Sequence, residues 1–108
     1  MEITDLEQLG NFISARPAVM IYFYNDNCAP CIALSPKVSQ LIESDFPKMA
    51  LAFVNAAVNE LAAARFGIFS APTLLVFFEG KESIRESKYI SINELQEKIS
   101  RYYELLFD

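Results

Sequence analysis

Six consecutive apolar residues, Val19-Met20-Ile21-Tyr22-Phe23-Tyr24, are rich in branched and aromatic side chains and read as a strand covered on both faces. Ahead of them Leu6, Leu9, Phe12 and Ile13 recur at helical spacing. They follow Thr4-Asp5-Leu6-Glu7, which has the form of a capping box, and the pattern closes near Ser14 to Pro17. Only Met1 to Ile3 precede this helix, so a strand there has to be very short. After the apolar run, Asn25-Asp26-Asn27 interrupts with turn formers. The period then changes, with Cys31, Leu34, Val38, Leu41 and Ile42 on one helical face that ends near Phe46-Pro47. Pro36 falls inside this helix, where it removes a backbone hydrogen bond and should bend it.

Met49 to Val54 reads as a second buried strand, and Asn59 to Phe66 as a short Ala-rich helix with Gly67 placed to end it in the left-handed region. Ser70-Ala71-Pro72-Thr73 turns into a third strand, Leu74 to Phe78. Glu79-Gly80 leads into Lys81 to Tyr89, whose weak alternation suits an antiparallel edge strand. Ser91-Ile92-Asn93-Glu94 is a second capping box, opening a helix with Leu95, Ile99, Tyr102 and Leu106 on one side. Its end, Tyr102 to Phe107, is unusually apolar, which reads as packing on the sheet or as a partner contact. The order helix, strand, helix, strand, helix, strand, strand, helix predicts one α/β domain over residues 1-108. Its central mixed sheet has four strands, or five with a very short first one, and helices on both faces. A right-handed crossover makes the first two long strands parallel.

Composition narrows the functional classes. Hydrophobic residues make up 53% of the chain and charged residues 21%, a globular balance. With a net charge of −5 and no basic cluster, a nucleic-acid surface is not expected. No apolar run approaches the roughly 20 residues of a membrane span. The N-terminus lacks the pattern of a signal peptide, so the expected setting is cytoplasmic, with no membrane partner. The candidate chemistry lies in Cys28-Ala29-Pro30-Cys31, which holds both cysteines of the chain where the strand pattern gives way to the helix pattern. In a reducing compartment such a pair is more often catalytic or metal-binding than structural. Two cysteines without histidine cannot fill a four-ligand shell, so a metal is not expected in one chain. A dimer sharing four thiolates around zinc or an iron–sulfur cluster is the minor alternative.

The chain resembles the thioredoxin family. The resemblance rests on Cys28, Pro30 and Cys31 after a buried strand, Pro36 five residues on, Phe66 to Phe78 with Ala71-Pro72-Thr73 inside it, and Gly80 at the hairpin. It implies a thioredoxin fold and a redox-active Cys28-Cys31 disulfide with no other cofactor. Cys28 would be the nucleophile at an exposed helix start, where the helix dipole favours a thiolate, and Cys31 the more buried resolving thiol. Pro72 would be cis. It would keep the main chain of Ala71 beside Cys28, where, with Ala29 and Pro30, it meets an extended client segment. The partners implied are protein disulfide clients and a thioredoxin reductase-type electron donor, for a monomer or weak dimer.

The departures from the family pattern are as informative as the matches. Tyr22 stands where the family usually has a buried aspartate that moves protons for the second cysteine, and Phe53 where it has a nearby lysine. Losing both charges together keeps the interior neutral. It also removes the usual proton acceptor, leaving water or a carboxylate such as Asp26. Asn27 replaces a tryptophan before the first cysteine and makes the local surface more polar, and Ala29 replaces a glycine. Tyr89, near a usual glycine of the groove, would narrow it. Neither Ala29 nor Pro30 donates to sulfur, which points to a reducing or mildly reducing couple. The leading expectation is a protein disulfide reductase, with activity that these changes attenuate. A non-catalytic binding module on the same fold is the alternative.

Overall fold

In the computed structural model, which describes residues 1–107, the long apolar run becomes the centre of a five-stranded sheet. The elements are β1 (Glu2–Ile3), α1 (Leu6–Ser14), β2 (Ala18–Tyr24), α2 (Ala29–Asp45), β3 (Ala50–Asn55), α3 (Glu60–Phe66), β4 (Thr73–Phe78), β5 (Lys81–Ser87) and α4 (Ile92–Phe107). The strands lie in the order β1-β3-β2-β4-β5. β1 and β2 both run parallel to β3, and β4 is antiparallel to both β2 and β5. This is the mixed α/β thioredoxin fold, and the short N-terminal strand is its fifth.

Burial explains the patterns. Ala18 to Phe23 of β2 are all buried because helices cover both faces of the sheet. One face packs Met20 and Tyr22 against Val38, Leu41 and Ile42 of α2 and Leu95 and Ile99 of α4. The other packs Val19, Ile21 and Phe23 against Leu9, Phe12 and Ile13 of α1 and Ala62 of α3. The apolar end of α4 is largely core. Tyr103 meets Phe46 and Phe107 at centroid distances of 5.0 and 4.6 Å, and Leu106 joins the same cluster. Tyr102 departs from the expected inner face; it is 41% exposed and stacks on Phe78 at 5.1 Å.

Several boundaries shift by a residue or two from the sequence pattern, and three of the shifts have a clear local reason. The first helix is capped by Asp5 rather than Thr4. Asp5 accepts from the Gln8 N–H (2.7 Å), while Gln8 Oε1 accepts from the Thr4 N–H (3.1 Å), a reciprocal cap one residue further on. β5 stops at Ser87 instead of Tyr89 because Lys88 takes a left-handed φ of 63° and turns the chain out of the ladder. β4 begins at Thr73, whose buried Oγ1 donates to the Ser70 carbonyl at 2.7 Å. Gly67 ends α3 as expected, at φ 66°. The N–H of Ile68 reaches the Ala63 carbonyl and that of Gly67 the Ala64 carbonyl, the pairing that closes a helix through a left-handed residue.

Candidate active site

The cysteine pair sits where β2 hands over to α2. Asn27 makes the turn with φ 57°, in the left-handed region that asparagine tolerates better than most side chains. The sequence marked Asn27 as a turn former and a polar substitute, but not as the residue that takes the left-handed conformation. Cys28 is the N-cap of α2, and its Sγ accepts from the Cys31 N–H at 3.2 Å. The first-turn N–H groups of a helix lack partners inside it, and no acidic side chain lies in this turn to compete for them. Ala29 and Pro30 occupy the first two helical positions and are exposed, and the missing N–H of Pro30 leaves nothing unpaired. Cys28 is half-buried and Cys31 only 3% exposed, and the two are joined as a disulfide. The pair is therefore asymmetric, with the first cysteine part-exposed at the helix start and the second buried.

The Ala71–Pro72 bond is cis, as the resemblance implied. β2 leaves the sheet at the end where β4 enters it, with Phe23 paired to Thr73, so the proline loop lies at the same end as Cys28. Pro72 is buried, and its carbonyl accepts from the Lys88 N–H at 3.0 Å. Among the described residues no hydrogen bond engages the N–H or carbonyl of Ala71, which is half-buried. Tyr89 is 97% exposed, so its ring stands away from the protein instead of filling a groove.

Beneath the pair, Tyr22 and Phe53 pack edge to face at 5.6 Å. The Tyr22 hydroxyl donates to the Cys31 carbonyl at 2.9 Å. Burial pushes the Tyr22 phenol up to about 12, so it keeps its proton at neutral pH. Asp26 is exposed, and its Oδ1 accepts from Asn55 Nδ2 at 3.1 Å. A groove of about 410 Å³ runs to Cys31, lined by Glu2, Tyr22, Tyr24, Phe53 and Pro36 among others, and not by Asp26. Glu2 was absent from the candidates drawn from the sequence. Its signal was a two-residue strand whose register no sequence pattern reveals.

The Thioredoxin family profile matches residues 2–101 of the chain. The chain belongs to the thioredoxin family. Thioredoxin-like protein YdfQ of Bacillus subtilis is 33% identical over 107 residues, covering 96% of this chain and 95% of the relative. Thioredoxin of Mycoplasma pneumoniae is 29% identical over 100 residues, covering 93% and 97%. Among solved structures, a point mutant of thioredoxin from Halobacterium salinarum superposes with a TM-score of 0.86 at 26% identity, over 95% of this chain and 89% of that one. Fasciola hepatica thioredoxin superposes at 0.77 with 31% identity, over 93% and 96%. Membership in the thioredoxin family and a cysteine pair at bonding distance make thiol–disulfide exchange the chemistry of the site in general terms.

Proposed function

We propose that the protein reduces disulfides in protein clients, with Cys28 attacking and Cys31 resolving. The observation that carries this reading is the asymmetry of the pair. Cys28 is part-exposed at a helix N-cap with a backbone N–H aimed at its Sγ, while Cys31 lies buried one turn in. A thiolate, not a thiol, exchanges with disulfides, and it is favoured where N–H groups and a helix N-terminus face it. The client strand would run beside the free main chain of Ala71, against Pro72, Ala29 and Pro30. Residues 1-108 would work as one domain, monomeric or weakly dimeric and without a further cofactor. A thioredoxin reductase-type donor in the cytoplasm would return it to the dithiol. No helix among the described residues is long and apolar enough to cross a membrane.

The test is trapping with Cys31→Ser, alongside a protein-disulfide reduction assay. Cys31→Ser should hold clients from a cell extract as mixed disulfides on Cys28 that a reducing agent releases. Cys28→Ser should hold none and should lose reduction. If the wild-type protein fails to reduce protein disulfides while still binding unfolded or extended segments, the binding-module reading replaces this one. That outcome has some structural support, because Tyr22 spends its hydroxyl on the Cys31 carbonyl and is no substitute for a carboxylate.

A further inference from the structure

Closing the Cys28–Cys31 bond needs Cys31 as a thiolate, so its proton must leave from a buried position. Neither side chain packed beneath it accepts that proton, since Phe53 has no titratable group and Tyr22 is a neutral phenol already bonded to a carbonyl. The sheet register extends the same row one strand further. Tyr22 of β2 pairs with Phe53 of β3, which pairs with Glu2 of β1. Residues paired directly across strands share a face, so Glu2 rises on the α2 side of the sheet. Its backbone is two strand spacings, or about 10 Å, from that of Tyr22. Glu2 and Cys31 line the same groove, whose volume of about 410 Å³ far exceeds what a water molecule needs. The carboxylate is also held in place. Tyr24, on the same face two residues beyond Tyr22, donates its hydroxyl to Glu2 Oε2 at 2.8 Å.

We propose that Glu2 takes the proton of Cys31 through water in this groove, an assignment that rests on the dithiol reading above. With a client sulfur bonded to Cys28, the Cys31 proton passes to the Glu2 carboxylate. The electron pair left on Cys31 forms the bond to Cys28 Sγ. The bond from Cys28 to the client sulfur breaks, and that sulfur leaves with its electron pair and takes a proton from solvent. The client disulfide is reduced by two electrons and the cysteine pair oxidised by two. When a dithiol donor reverses the cycle, Glu2 returns the proton to Cys31. The titratable groups facing Glu2 are Tyr22, Tyr24 and Cys31 across the groove and the Met1 amino group beside it in the chain, while Asp26 acts on the Tyr24 hydroxyl.

An aromatic disulfide whose released thiolate absorbs visible light separates the two steps on the reduced protein. The first release depends on reagent concentration and reports Cys28. The second is independent of it and reports closure by Cys31. Glu2→Gln, which keeps an oxygen for Tyr24, should slow the second release about tenfold or more near neutral pH and leave the first unchanged. The deficit should shrink as the pH rises, because hydroxide then takes the thiol proton without Glu2. Equal second-phase rates in wild type and Glu2→Gln overturn the proposal. So does a deficit of the same size at every pH, which marks a structural role, or a slowed second phase in Asp26→Asn alone. A wild type that gives no first release overturns the dithiol reading and this assignment with it.

Discussion

Tyr22 shows how one side chain can stand in for a charged group without inheriting its chemistry. Its ring fills space against Phe53, and its hydroxyl anchors the first turn of α2 by donating to Cys31. Tyr22→Phe removes one buried hydrogen bond, so the urea midpoint at neutral pH should fall by the equivalent of about 1 kcal/mol. The pH dependence has a definite sign. The folded-state pKa is raised from 10.0 to about 12 by burial, so folding favours the neutral phenol. That contribution is whole below pH 10 and is lost as the pH rises through about 12. The wild-type midpoint should therefore drop in this alkaline window, and that of Tyr22→Phe should drop less. Equal midpoints for the two proteins at neutral pH would show that the hydroxyl contributes nothing. Tyr24 moves in the same direction, raised to about 12 by burial first and then by its bond to Glu2, so Tyr22→Phe should not abolish the alkaline loss.

At the scale of elements, α3 is the least self-sufficient piece. It is seven residues long, well below the length at which a helix is stable alone. β5 supplies what it lacks. Arg85 donates from Nη2 to the Phe66 carbonyl at 2.7 Å and from Nη1 to the Gly67 carbonyl at 3.2 Å, while Glu82 holds the guanidinium at 2.8 Å. The ion pair itself is exposed and contributes little; the useful bonds are those to the helix end. Arg85→Ala should lower stability by about 1 kcal/mol and speed hydrogen exchange at the Ile68 N–H, which closes α3 on Ala63. Unchanged exchange there would mean the left-handed Gly67 closure suffices alone. Arg85 had no signature in the chain, since a cation in an alternating edge strand looks like any solvated charge. β2 was readable as an unbroken apolar run, and the α2 face because it repeats one helical period over many residues. The cap at Asp5 was misplaced by one position because two neighbouring residues, Thr4 and Asp5, can both serve.

At the scale of the molecule, exposed apolar residues gather toward the end that carries the disulfide. Ile32, 73% exposed, follows Cys31; Phe69, 96% exposed, stands two residues before Ala71; and Tyr89 follows Lys88, whose N–H is bonded to Pro72. These side chains gain nothing from the core, and they frame the main chain that a client would meet. Replacing Phe69 and Tyr89 together by serine should raise KM for a protein disulfide on the order of fivefold, about 1 kcal/mol of lost apolar contact, with kcat held. A fall in kcat with KM unchanged would instead place their effect on the cysteines. The family and the cysteine pair were legible because Cys28, Pro30, Cys31 and Pro72 keep their types and spacing. The carboxylate on the groove was not, because it depends on which residue of β3 lies beside Glu2.

β1 is joined to the sheet by two paired residues, Glu2 to Phe53 and Ile3 to Val54, with the Phe53 N–H reaching the Met1 carbonyl at 2.8 Å. So short an edge strand opens far more often than the sheet it borders, and Glu2 travels with it. One wall of the groove therefore rests on two paired residues. If Glu2 is the acceptor proposed above, closure of the disulfide would depend on the docking of that short strand. A fusion partner attached ahead of Met1 would then pull on β1 and slow closure, whereas one attached after α4 would leave it unchanged.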